Sequence, residues 1–237
     1  MIRTRRRSRR SQNVPIIINV RDRLEPMTVL LDWLERAGHT EIYLLDNAST
    51  YPPLLEFLAT CSHTVVPAGG NLGHHAPWTS GLVARVGSAR AHVVTDPDVV
   101  PTEDCPLDAV EHFQSALDRH PDIGYVGFGL RIDDLPDTYR HRESVMKWEE
   151  KYWTDEVEPG LFRADIDTTF ALYRPGQRHR GASLRTGAPY LARHLPWYAN
   201  TDQPTSEEIY YRDHLDPTVN TWDQTELPVW LDRMLDE

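Results

Sequence analysis

Ala91-His-Val-Val-Thr-Asp-Pro-Asp-Val-Val100 is the stretch on which the reading of this chain turns. The β-branched Val93 and Val94 lead into Thr95-Asp96-Pro97-Asp98, and apolar residues resume at Val99 and Val100. Pro97 lacks an N–H and cannot continue a central ladder, so a buried strand should stop there. Two carboxylates, one residue apart, then stand at the carboxyl end of a strand, where open α/β sheets bind their ligands. Such a pair suits a hard divalent cation that also holds substrate phosphates. The plain alternative is an Asp-Pro-Asp turn, since both residue types are ordinary in turns. The remainder of the chain has to choose between them.

Upstream, Val14–Val20 reads as a buried strand of the parallel type, followed by a helical spacing over Pro26–Ala37 that Gly38 closes. Glu41–Leu45 is a second strand, Leu54–Thr60 a helix with Pro52 and Pro53 in its first turn, and His63–Val66 a third strand. A glycine turn, Gly69–Gly73, precedes a helix through Trp78–Val86 and then the strand quoted above. This alternation predicts an α/β fold, a Rossmann-type mostly parallel sheet with helices on both faces in a single domain. Downstream the pattern gives a helix over Leu107–Arg119, a glycine-bearing strand over Ile123–Leu130 and a polar loop over Asp133–Thr138. Arg140–Trp153 is helical in composition, Ile166–Tyr173 is a strand, and Gln177–Asn200 reads as irregular. Short helices are expected near Glu207–His214 and Leu227–Met234. The expected organisation is a disordered arm over 1–12 and one domain over 13–237, with a nucleotide-binding half (13–100) and a catalytic half (101–237).

Composition narrows the class. The 237 residues are 40% hydrophobic and 26% charged, ordinary values for a soluble globular protein. No apolar run approaches the roughly 18 residues needed to span a bilayer. Two cysteines are too few for a disulfide framework, which suits a reducing cytoplasm. The net charge of −11 conceals six arginines and no acid in residues 1–10, and so a body at −17. An acidic body argues against nucleic acid as the partner. The arginine arm suggests peripheral contact with anionic lipid, or simply a terminus without a dedicated site.

The first three strands each end in a polar turn: Asn19-Val-Arg21, Asp46-Asn-Ala-Ser-Thr50 and Asn71-Leu-Gly73. In a parallel sheet these gather on the edge that carries Asp96 and Asp98. A strand-end carboxylate accepts bonds from ribose hydroxyls or a base N–H, and a glycine turn admits a phosphate or base to backbone N–H groups. Taken singly, each turn could equally cap the next helix. Together, Arg21, Leu44–Thr50, Gly70–Gly73 and Thr95–Asp98 resemble a GT-A glycosyltransferase, nearest to family 2. That resemblance implies a nucleotide-sugar donor and Mn²⁺ or Mg²⁺ on a D-x-D motif. It would make Asp46 a nucleoside contact, Asp96 a ribose or sugar contact and Asp98 the metal ligand, with Asn19, Arg21, Asn71 and Gly73 also lining the donor. The acceptor hydroxyl, on a glycan, a lipid-linked sugar or a small molecule, stays open.

The second half departs from that family, because its usual Glu-Asp base pair is missing. Ala164-Asp-Ile-Asp-Thr168 offers Asp165 and Asp167 instead, and Asp167, nearer the apolar strand, is the preferred base; the alternative is that both acids merely end a strand. Arg193-His-Leu-Pro-Trp-Tyr198 is similar to the late histidine segment of GT-A enzymes, which makes His194 a further metal ligand. Arg185 and Arg193 could pair with phosphate oxygens. Core packing is the favoured reading for Trp197 and for Trp148, Tyr152 and Trp153, and His74 and His75 read as helix-start contacts. The rival readings are a nucleotidyltransferase, for which no glycine- and lysine-rich phosphate loop follows the first strand, and a non-catalytic nucleotide-binding protein.

Overall fold

The computed structural model describes residues 14–166, 170–215, 222 and 226. The arginine arm, Asp167 and the helix expected over Leu227–Met234 lie outside these residues. Strand β1 (Ile16–Val20) shows why the chain adopts its layers. Ile16, Ile18 and Val20 enter one core cluster and Ile17 enters another. A strand that is apolar on both faces needs cover on both. On one face, α1 (Glu25–Arg36) supplies Met27, Leu30 and Leu34, while α5 (Ala109–Arg119) supplies Phe113 and Leu117. On the other face, α3 (Ala76–Thr79) and α4 (Leu82–Val86) supply Ala76, Leu82 and Val83.

The ten strands among the described residues belong to one sheet. Its order is β3 (Thr64–Pro67), β2 (Ile42–Asp46), β1, β4 (His92–Thr95), β9 (Ala171–Tyr173), β6 (Tyr125–Leu130), β10 (Ser183–His194), β8 (Leu161–Arg163) and β7 (Glu156–Glu158). β5 (Val99–Pro101) pairs with β10 off this path. β1 to β4 are mutually parallel, β9 runs against both β4 and β6, and β10 lies parallel to β6. Since β8 opposes β10 and β7 opposes β8, only β5, β8 and β9 run against the common direction. The mostly parallel α/β sheet expected from the alternation is therefore the one observed.

Four elements differ from expectation. The single helix over Trp78–Val86 is instead α3 and α4, broken where Gly81 takes a left-handed φ of 80° that other residues avoid. Gln177–Asn200 is not irregular, since twelve of its residues form β10. The alternation of β10 is masked because residues 187–190 leave the ladder between the pairs Thr186–Phe128 and Leu191–Gly129. The β7–β8 hairpin, turning at Gly160 (φ 74°), was not expected at all. Finally, among the described residues β9 covers Ala171–Tyr173 of the strand read over Ile166–Tyr173, and 167–169 lie outside them.

The glycines of β6 do admit close neighbours. A Cβ on Gly129 would stand 2.4 Å from the Thr186 carbonyl oxygen and 2.5 Å from the Trp153 ring. That ring approach seats the short 3-10 turn Lys151–Trp153 against the sheet, and with it the end of α6 (Arg142–Glu150). Among the described residues no helix is long and apolar enough to cross a membrane.

Candidate active site

The loops after β1 and β2 interlock on the carboxyl edge. Asp22, 1% exposed, accepts from the backbone N–H of Thr50 (2.6 Å) and Tyr51 (2.8 Å), which holds the entry to α2 (Pro52–Thr60) from another loop. Asn47 donates to Gly73 O at 2.9 Å and accepts from Leu72 N at 2.7 Å, so it holds the glycine turn. Asn19 also reaches Gly73 O (3.4 Å), and Arg21 reaches Asn47 O (3.4 Å). Asn71 accepts from Gly73 N at 3.0 Å. Asp46 Oδ1 accepts from Ser49 N at 2.9 Å and closes the turn in which Ala48 has a φ of 62°. Asp22 (φ 50°) and Ala48 are the two non-glycine residues with positive φ among those described, and both sit on this edge. Backbone held in that region carries strain, which concentrates where ligands bind.

The register of β5 on β10 sets His194 opposite Val99, and Leu195 N donates to Asp98 O at 2.9 Å. His194 Nε2 consequently lies 3.8 Å from Asp98 Oδ1. The imidazole meets Trp197 edge-on at 4.8 Å, and its Nδ1 is buried without a hydrogen-bond partner. Among the described residues no three His, Cys, Asp or Glu side chains form a closed metal cluster. One carboxylate and one imidazole leave most of a divalent ion's coordination open. Such a set fits Mn²⁺ or Mg²⁺ completed by phosphate oxygens and water, and does not fit a structural zinc.

A cavity of about 460 Å³ opens beside this pair, and its walls include Asp96, Glu149, Asp165, Arg185 and His194. That volume lies within the range of small-molecule sites, about 300–1,000 Å³. Arg185 is fixed on three sides. It donates to Glu149 Oε2 at 2.7 Å and to the Asp165 carbonyl at 2.8 Å, and it lies 4.0 Å over the Tyr152 ring. Burial pushes the Glu149 carboxyl above its usual range, and the Arg185 guanidinium opposes that rise. A cavity-wall arginine, a buried glutamate and the backbone of Asp165 thus act as one network.

The sequence-predicted residues separate into groups. Asp96, Asp165, Arg185 and His194 line one cavity, with Asp98 paired to His194. Asn19, Arg21, Asp46, Asn71 and Gly73 interlock on the edge formed by the ends of β1 and β2 and do not line that cavity. Arg193, one residue before His194 on β10, takes a different course: it pairs with Asp134 (2.6 Å) and Glu103 (2.5 Å) and is not part of the cavity. Asp167 is outside the described residues. Trp148 and Tyr152, read as packing residues, are cavity walls, and Trp197 is both core and wall, at 3% exposure. Sequence reasoning missed Glu149. The available signal was its position four residues after Val145, on the buried stripe of α6.

The fold and site together define an α/β protein with a polar ligand cavity at the carboxyl edge of parallel strands. No protein-family model matches the chain, and no curated protein matches it. Among solved structures it is similar to the mannosyltransferase PcManGT from Pyrobaculum calidifontis in complex with GDP-Man and Mn²⁺. That likeness has 20% identity and a TM-score of 0.44, and covers 68% of this chain and 44% of the other. It is also similar to glucosyl-3-phosphoglycerate synthase from Mycobacterium tuberculosis in complex with phosphoglyceric acid. There the identity is 15% and the TM-score 0.42, over 68% of this chain and 56% of the other. The chain spans about half the length of the solved structures it matches. Superpositions this loose carry no conclusion about its activity.

Proposed function

We propose that the chain is a glycosyltransferase that moves a sugar from a nucleotide-sugar donor to an acceptor hydroxyl, with Mn²⁺ or Mg²⁺ as cofactor. One observation carries this reading. His194 belongs both to the Asp98 pair and to the cavity wall, so a cation-suited pair and the carboxylates Asp96 and Asp165 share one site. The nucleoside lies over the interlocked edge, where Asp46 Oδ2 is left to meet a ribose hydroxyl or a base N–H. Asn19, Arg21 and the Asn71–Gly73 turn shape that edge. Asp98 and His194 hold the cation, which when bound neutralises charge on the departing diphosphate. Asp96 meets the ribose or the transferred sugar. A carboxylate of Asp165-Ile-Asp167 takes the acceptor proton. Arg185, which gives one N–H to Glu149 and one to the Asp165 carbonyl, fixes that segment, and its remaining N–H donors serve the phosphate oxygens of the donor.

The test is a thermal-shift screen of UDP-, GDP- and dTDP-sugars with and without Mn²⁺, because a ligand that binds the folded state raises its apparent stability. The expected result is stabilisation by one donor class that requires the metal, followed by metal-dependent nucleotide release. A melting temperature indifferent to every donor, with no nucleotide released, refutes the reading.

A further inference from the structure

A second groove of about 620 Å³ lies between the α3–α4 face and the loop that follows β9. His179 and Arg180 line both this groove and the first cavity, so the two share a wall. Trp78, Gln177 and Arg178 are among its other walls, and no Asp or Glu lines it, although the chain carries 36 acids against 25 Lys and Arg. Arg178 and Arg180 are exposed and enter no ion pair among the described residues.

The loop presenting these cations is tied down at every step. The Arg174 guanidinium donates to the carbonyls of Leu117 (2.6 Å) and Ile123 (2.7 Å), and Gly176 N donates to Gly87 O (3.0 Å). The Gln177 amide donates to the carbonyls of Arg178 (2.9 Å) and Arg180 (2.6 Å). His179 Nδ1 lies 3.0 Å from the hydroxyl of Tyr173, and its ring stands 5.0 Å from Trp78. The groove therefore offers two forked cations and an aromatic face on a backbone that needs no ordering upon binding. Guanidinium forks match phosphate and carboxylate oxygens, and preordering lowers the cost of binding.

We propose that this groove is the acceptor site, and that the acceptor bears a phosphate or carboxylate on a hydroxylated skeleton. The assignment rests on the glycosyl-transfer reading, since only there does an acceptor need to enter the first cavity through the shared wall. Anchored by Arg178 and Arg180, the skeleton lies against Trp78 and extends one hydroxyl past His179.

The experiment is calorimetric titration of the full chain, without donor, with glucose 6-phosphate, glucuronate, glucose and inorganic phosphate. Saturable binding is expected for one of the two anionic sugars, and which one responds separates a phosphate from a carboxylate. Glucose and inorganic phosphate should each bind at least about tenfold more weakly, and Arg178→Gln/Arg180→Gln should weaken the anionic sugar by at least about tenfold. Binding should also weaken as salt rises. Equal binding of glucose, equal binding of inorganic phosphate, no loss in the double variant, or no binding by any probe would each overturn the proposal. Because Arg178 lines the groove and not the first cavity, nucleotide-diphosphate binding with Mn²⁺, measured in parallel, should be unchanged in the single variant Arg178→Gln. Its absence in the unsubstituted chain would count against glycosyl transfer, separately from the groove.

Discussion

Glu149→Ala leaves the Arg185 guanidinium without its carboxylate in a site where the two side chains are 4% and 3% exposed. The 2.7 Å bond to Oε2 is lost, and Arg185 keeps only the Asp165 carbonyl and the Tyr152 face. Breaking a buried pair from one side costs about 3–5 kcal/mol, because the remaining charge is desolvated without compensation. In a chain of this length each kcal/mol moves the melting temperature by about 2–4 °C, so a fall of about 6–20 °C is expected. The double variant Glu149→Leu/Arg185→Met removes both charges and keeps most of the volume. Replacements of that kind are commonly neutral or stabilising, so the double should return to within about 2 kcal/mol of the starting protein. Urea unfolding followed by tryptophan fluorescence measures all of these species, and a coupling of at least about 2 kcal/mol is the expected signature.

Activity should not follow stability in this cycle. Arg185→Met removes the Nε donor to the Asp165 carbonyl, so the refolded double variant should still transfer poorly. A single variant that loses less than about 1 kcal/mol, or a double no more stable than the weaker single, would refute the claim that the pair is buried and interdependent.

Asp98→Ala should abolish the metal-dependent part of donor binding while leaving the melting temperature of the unliganded chain within a few degrees; calorimetry with and without Mn²⁺ decides. Glu207 accepts from Leu24 N (2.8 Å) and Glu25 N (3.0 Å), so Glu207→Ala should destabilise by about 1–2 kcal/mol and speed hydrogen exchange at the start of α1. Burial lowers the pKa of His92, whose Nε2 has no hydrogen-bond partner, so the unfolded chain binds its proton at higher pH than the folded one. Stability should therefore fall as pH drops below about 6.5, and His92→Phe should flatten that slope in urea midpoints between pH 7.5 and 5. Half-buried His112, whose pKa is also lowered by desolvation, should leave a residual slope.

What the sequence revealed and what it hid follow from the range of the interactions involved. The triple isoleucine of β1 must be covered on both sides wherever it sits, so the layered α/β fold was legible from a few residues. The strand-end acids were legible for the same reason, since parallel strands bring their carboxyl ends to one edge whatever loops join them. Glu149 was hidden because Lys147-Trp-Glu-Glu-Lys151 looks like a solvated helix face until Arg185, 36 residues later, arrives to pair with it. Arg185 itself was legible as a candidate, but its pairing with Glu149 was not, because the departure of residues 187–190 from the ladder hides the strand that carries it. Asp22 shows the same logic, as its work is to hold the entry to α2 through the backbone N–H groups of Thr50 and Tyr51, 28 and 29 residues away. The parts of the site set by backbone direction are thus read from local pattern, and the parts set by one side chain finding another are not. An acid spaced four residues from a buried Val, as Glu149 is from Val145, is the one local sign that such a distant partner must exist, because a carboxylate on a buried stripe is not stable alone.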